Sequence, residues 1–453
     1  MNIKTGLITV GDDREEFYKI REPLVLSEIE SLSWLKEKYN VLEFEPITSE
    51  DDFSEIVKTI KEFDIHSLLI HIPIWAPPSL TLNICRQVDV PIMLIGNSDS
   101  QTSSTVGLLG AGGALNQVGI EHKRIFDKDS LEGRSSINAF LAACSSKREL
   151  IGQKYAKFGS YSLGIFTAEA DPAQWQKIFG VDTITIDQLE IVNIAESLDS
   201  KYVRKHYEWF VSCLGNGEDI KEDELSKIEK QIRSYLATYE IIKDRKIDFV
   251  GVKCQPEMSD GYVSQCAAHM LLNSSLDTAG KQGTIVHACE ADSDGALTMQ
   301  ILKLLSGGKP SALLDIRFYD YHKGIWVFAN CGAIACDFYN PEPTKDPLKN
   351  VKAMPHVFGK GGGLAYSGTV SPQCVTLARL YRIDGEYKMT ILKGEVVSEK
   401  SDHPTTKQFP RAYIRLEKDN SFLEEFGSNH IHMVSGDYSK ELEYFCDLCG
   451  IEY

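Results

Sequence analysis

The chain has 453 residues, enough for two or three full-sized cores, and its 43% hydrophobic and 25% charged residues are ordinary for a soluble globular protein. A net charge of −17 excludes a nucleic-acid backbone or an acidic membrane as the main partner and suits a small neutral substrate or a metal cation. No run approaches a membrane span, and MNIKTGLITVGDD goes straight into a strand without a signal peptide's apolar core, so a cytoplasmic location is expected. The eleven cysteines are scattered, several of them (Cys144, Cys213, Cys266, Cys289) in apolar contexts, as in a reduced compartment.

Residues 1–158 alternate short apolar strands (Thr5 to Val10, Val41 to Phe44, Ser67 to Ile74, Pro91 to Ile95) with amphipathic stretches around Leu24 to Leu35 and Phe53 to Phe63. This predicts an open doubly wound parallel sheet. Its glycine-rich run TVGLLGAGGALNQVG lacks dinucleotide spacing, so those glycines are expected to allow close helix packing, and no cofactor-binding motif is present. A second α/β domain is expected over 159–308, with SLGIF as its first strand and two charge-dense helices, Lys201 to Leu214 and Asp223 to Lys243, on its outside. From 309 to 453 strand-like segments dominate, including a hairpin turned at Asp384-Gly385. The predicted fold class is α/β: two flavodoxin- or Rossmann-like domains followed by a mostly β C-terminal domain. Near the end, Cys446 and Cys449 form a lone C-x-x-C in an amphipathic helix, with no second pair to complete a zinc site.

The most informative stretch is TIVHACEADSDGALTMQILKLLSGGKPSALLDIRFYD. Thr284 to Cys289 reads as a buried strand with Glu290 at its carboxyl end. Asp292 or Ser293 then caps a helix that ends at Gly307-Gly308. Ser311 to Arg317 reads as a second strand, with Asp315 inside an apolar run where a lone carboxylate is costly without a cation or a shared proton. Such a β-α-β unit favours parallel neighbours and places Glu290 and Asp315 across adjacent strands. Hard oxygen donors with one imidazole suit Mn²⁺, Mg²⁺ or Co²⁺, and His430 or His432 in SNHIHMVSGD can supply the imidazole. Sequence physics does not choose between the two histidines.

These residues resemble the L-fucose and L-arabinose isomerases, the fucose branch above all. The resemblance is carried by GVKCQPEMSDGYVSQCAAHMLLNSSLDTAG, IVHACEADSDGA, LLDIRFY and SNHIHMVSGD, and more thinly by GDDREEFYKIRE, HIPIW and FGKGGG. It implies a metal-dependent aldose–ketose isomerase of a 6-deoxyhexose or pentose that works through an enediolate. Glu290 and Asp315 would be both metal ligands and acid/base pair, His430 the third ligand, and Mn²⁺ the expected ion. Asn429, Gln255 and Lys253 would bind sugar hydroxyls or line the pocket. Arg14 and Trp75 would hold substrate, in a trimer or hexamer whose sites lie at subunit interfaces. Asn330 stands where the arabinose branch has a histidine, and Leu364 where fucose isomerases have a tyrosine, with Tyr366 just beyond; both imply an altered sugar pocket. A sugar-binding or regulatory protein on the same fold, or a sugar epimerase, are the alternative readings.

Overall fold

The computed structural model describes residues 3–278, 280, 283–340, 346–403 and 408–453. Ala279, within the resemblance stretch that ends SLDTAG, lies outside them. The chain divides into two compact units, 1–148 and 149–453.

In the first unit, β1 (Lys4–Thr9), β2 (Asn40–Glu43), β3 (Ser67–His71), β4 (Ile92–Ile95) and β5 (Lys123–Ile125) form a parallel sheet in the order β2-β1-β3-β4-β5. This is the doubly wound arrangement the alternating pattern predicts. Helix Phe53–Phe63 buries Phe53, Ile56, Val57 and Ile60, the helical spacing that made it legible. The glycine-rich run is the helix Ser104–Gln117, and a side chain at Gly107 would collide with Ile72 and with the backbone of Ile74 and Trp75. Among the described residues no helix is long and apolar enough to cross a membrane.

The second unit opens with β6 (Lys154–Phe158), β7 (Asp182–Ile186), β8 (Phe249–Val252) and β9 (Val286–Cys289), paired in parallel in the order β7-β6-β8-β9. The predicted strand SLGIF is not one. Leu163 and Gly164 take left-handed backbone angles and Phe166 is exposed, so the segment turns over the surface, and the sheet uses the earlier KYAKF. The predicted outer helix is also corrected: Glu222–Asp244 buries Ile228, Ile232, Leu236, Ile241 and Ile242 in the largest core. Its Gln231 is buried too, and exchanges hydrogen bonds with Ser264, Leu364 and the Tyr366 hydroxyl.

The remaining strands are β10 (Ser311–Asp320), β11 (Ile325–Ala329), β12 (Lys352–Pro355), β13 (Leu364–Ser367), β14 (Gln373–Ile383), β15 (Glu386–Val396), β16 (Arg411–Leu416) and β17 (His430–Ser435). Six of them close an antiparallel barrel, β10-β11-β16-β15-β14-β17, and β12 pairs with β13 alone. The Asp384-Gly385 turn joins β14 to β15 with both residues at positive φ, the geometry a tight hairpin demands.

One expectation about the central stretch fails. After the helix Ser293–Leu305, β10 does not return beside β9 as a parallel neighbour; it enters the barrel, antiparallel to β11 and β17. The helix between them is buried along nearly its whole length and packs against β8 and β9 on the sheet side and β10, β14 and β17 on the barrel side. Buried on nearly all sides, it joins the two layers.

Candidate active site

Glu290 leaves the carboxyl end of β9 just as the chain turns into that helix. Glu290 and Ala291 both adopt left-handed backbone, φ 58° and 51°, without being glycine. Such a conformation costs on the order of 1–3 kcal/mol per residue and persists only where the surroundings impose it, as at functional sites. Here Ala291 N–H donates to Val252 O and Asp292 N–H to Cys289 O, which locks the turn. Lys253 leaves the adjacent strand end, since Val252 pairs with Cys289.

Asp315 and His430 come together in a different way. They sit opposite one another in the β10–β17 register, so pairing in the barrel sets them side by side. His430 Nε2 stands 3.5 Å from Glu290 Oε2 and 3.5 Å from Asp315 Oδ1. The other ring nitrogen, Nδ1, lies 2.8 Å from Asp292 Oδ2. Asp292 caps the helix by accepting from Gly295 N–H, and its Oδ2 also takes the guanidinium of Arg379 at 2.5 Å, with both side chains fully buried. A chain Arg379–Asp292–His430 therefore aims Nε2 at the two carboxylates.

The electrostatics follow from that packing. Burial alone would strip the proton from His430, but the bond to Asp292 and the carboxylates of Glu290 and Asp315 push it up to about 10. Asp292 is held well below the carboxylate range despite its burial, by Arg379 and His430. Asp315 is raised, because burial and the charge of Glu290 outweigh His430 and Arg317, the latter at 2.8 Å. The carboxylates of Glu290, Asp292 and Asp315 thus gather around His430, with Arg379 and Arg317 behind two of them.

The donor set suits a hard divalent ion, with two carboxylates from separate elements and an imidazole whose far nitrogen is bound by a third carboxylate. Among the described residues no such group is closed tightly enough to hold an ion as it stands. The gap is small: donors around one ion with bonds of about 2.1 Å stand about 3.0 Å apart at right angles, against the 3.5 Å spacings here. Glu290 and Asp315 are both partly exposed, so their side chains have room to move toward that spacing.

The other expected residues scatter. Gln255 is half-buried in the loop after β8, and Asn429 is exposed beside His430, its carbonyl accepting from Ile316 N–H. Lys253 is buried and committed, its Nζ 2.6 Å from Glu257 and 3.2 Å from Ser160. Arg14 and Trp75 belong to the first unit, where Arg14 holds Asp12 at 2.7 Å and lies over the Trp75 ring at 4.8 Å. His432 is fully buried, its Nε2 near Gly295 in the neighbourhood of Asp292. Asn330 ties the turn after β11, accepting from Gly332 and Ala333 N–H, while Leu364 and Tyr366 are buried. Asp292 was visible in the sequence only as a helix cap. The signal for Arg379 is its place inside the apolar run VTLARLY, where an arginine needs a buried acid to face.

Two parallel sheets, a barrel, and a Glu/Asp/His cluster at a strand end define the class to which this chain is similar, the fucose isomerase-like proteins. Residues 328–453 match the L-fucose isomerase C-terminal domain. A sulfoquinovose isomerase of Priestia megaterium is 22% identical over 433 residues, 91% of each chain. One of Alkalicoccus urumqiensis is 23% identical over 296 residues, 63% of this chain and 60% of that one.

Proposed function

We propose that this chain is a metal-dependent aldose–ketose isomerase of a free sugar. The observation that carries the reading is the convergence of Glu290, Asp315 and His430 Nε2, with the imidazole held from behind by Asp292 and Arg379. An aldose becomes a ketose when a base removes the proton beside the carbonyl and an acid returns it to the adjacent carbon. Glu290 and Asp315 come from different layers of the fold and converge on His430 Nε2, so a sugar bound there would meet both carboxylates. Their unequal surroundings suit unequal roles: Asp315, raised by burial, retains a proton more readily. A divalent ion held by Glu290, Asp315 and His430, Mn²⁺ being the expected one, would polarise the carbonyl and neighbouring hydroxyl as a Lewis acid. Asn429, next to His430 in sequence, and Gln255, in the loop after β8, would be the residues to meet sugar hydroxyls. The sugar is a 6-deoxyhexose or pentose of fucose or arabinose type, or, as the relatives' name suggests, a hexose carrying a sulfonate.

The test is a panel of L-fucose, D-arabinose, L-arabinose, L-rhamnose and sulfoquinovose, with metal-free protein and with added Mn²⁺, read as ketose formed. Metal-dependent ketose from one sugar is the expected result. Epimer without ketose, or sugar recovered unchanged from a tight complex, would overturn it.

A further inference from the structure

All eleven cysteines are free, and two of them meet beside Glu290. Cys289, the last residue of β9, is buried; Cys331, just beyond β11, is partly exposed; their sulfurs are 3.8 Å apart. We propose that Cys289 and Cys331 are a modification site for hydroperoxides, closing to a disulfide that reversibly disables the neighbouring site. The activity half of the proposal rests on the isomerase reading; the chemistry of the thiols does not.

A disulfide needs its sulfurs at about 2.05 Å, so the two must approach by about 1.8 Å, through side-chain rotation together with adjustment of the turns that carry them. Space for that exists. The two thiols line a void of about 10 Å³, roughly the room of one water, which they share with Cys254, Cys266, His269 and His287. Cys331, the less buried partner, takes the first step: its sulfur attacks hydrogen peroxide, the O–O bond breaks, and Cys331 sulfenic acid and water form. The Cys289 sulfur then displaces the sulfenic oxygen as a second water, forming the S–S bond. Two thiols lose two hydrogens and two electrons, and one peroxide is reduced to two waters.

The consequence follows from where the cysteines sit. Cys289 is bonded to Glu290, whose left-handed turn depends on Asp292 N–H reaching Cys289 O. Cys331 follows the strand whose Ala329 pairs with Asp315. Drawing the sulfurs together pulls on the supports of both carboxylates at once.

The full-length reduced protein is treated with hydrogen peroxide, its remaining thiols are alkylated, and unreduced peptides are mapped by mass spectrometry. The expected product is a Cys289–Cys331 peptide pair, with free thiols falling by two from eleven and recovering with dithiothreitol. Sulfinate at Cys331 with Cys289 still alkylated, a bridge to Cys254 or Cys266, or loss confined to the exposed Cys374 would overturn the pairing. Mn²⁺ affinity should fall about 10-fold or more on oxidation and return on reduction, with Cys331→Ser insensitive. A mapped bridge with unchanged Mn²⁺ affinity would overturn the switch. Failure to turn over any sugar would count against the isomerase reading alone, because peptide map and metal titration need no substrate.

Discussion

Glu290 and Asp292 do different work two positions apart, and variants should separate them. Glu290→Gln removes a proton-transfer group and a ligand from a partly exposed position. Turnover should fall by about 10²–10⁴-fold or more with the thermal transition nearly unchanged; a fully active variant would end the assignment. Asp292→Asn leaves all three proposed ligands in place but takes the charge from behind the imidazole and strands the buried guanidinium of Arg379. The expected results are a roughly 10–100-fold loss of Mn²⁺ affinity and about 3–5 kcal/mol of stability, read by calorimetric titration and chemical unfolding. A variant that binds metal as the parent does would show that His430 needs no such partner. Glu290 and Asp315 were legible because a carboxylate inside or directly after an apolar strand has few bland explanations. Asp292 was not, because capping a helix already accounted for it.

At the scale of elements, local signals read well and pairing partners did not. Helix Phe53–Phe63 and the Asp384-Gly385 hairpin appear where periodicity and turn chemistry put them, because each is decided by residues close in sequence. The parallel return of β10 to β9 failed for the opposite reason. A buried strand's composition says that it has neighbours, not which sheet supplies them, and here β17, more than a hundred residues on, is one of them. That pairing is what places His430 against Asp315, so the site's assembly was hidden by the same limit. The hairpin offers a clean check on the local side. Gly385 has φ +86° with open space where a side chain would go, so Gly385→Ala meets backbone strain and no collision. It should cost about 1 kcal/mol in unfolding free energy and leave any sugar turnover unchanged. No loss would mean that the turn relaxes to another form.

Across the whole molecule, one carboxylate in each unit, half-buried Glu28 and fully buried Asp294, gives stability an opposite dependence on pH. In the first unit, burial would raise Glu28, but His71 at 3.9 Å and Lys128 at 2.8 Å hold it at about 2, against 4.5 for an ordinary glutamate. A depressed carboxylate stabilises the fold above its unfolded value and loses that contribution as pH falls from 4.5 toward about 2. In the second unit, burial lifts Asp294 to about 6 despite Arg382 and Arg379, while Tyr387 and the Trp175 N–H bond its Oδ1. A raised carboxylate favours the fold below 3.8 and loses that favour as pH rises through about 6. For fully buried Asp294 the shift is worth on the order of 3 kcal/mol, and for Glu28, partly exposed and screened by solvent, less than that. Hydrogen exchange of peptides from each unit, followed from pH 7 to pH 3, separates the two. Glu28→Gln should weaken protection in residues 3–148 at pH 7 by about 1–2 kcal/mol, with the deficit shrinking steadily in acid. Asp294→Asn should gain on the parent in residues 149–453 as pH rises from 4 to 7, because the amide keeps an acceptor for Tyr387 and Trp175 without burying a charge. A Glu28→Gln deficit that stays constant down to pH 3 would mean that packing around Glu28, and not its ion pair with Lys128, holds that part of the first unit together.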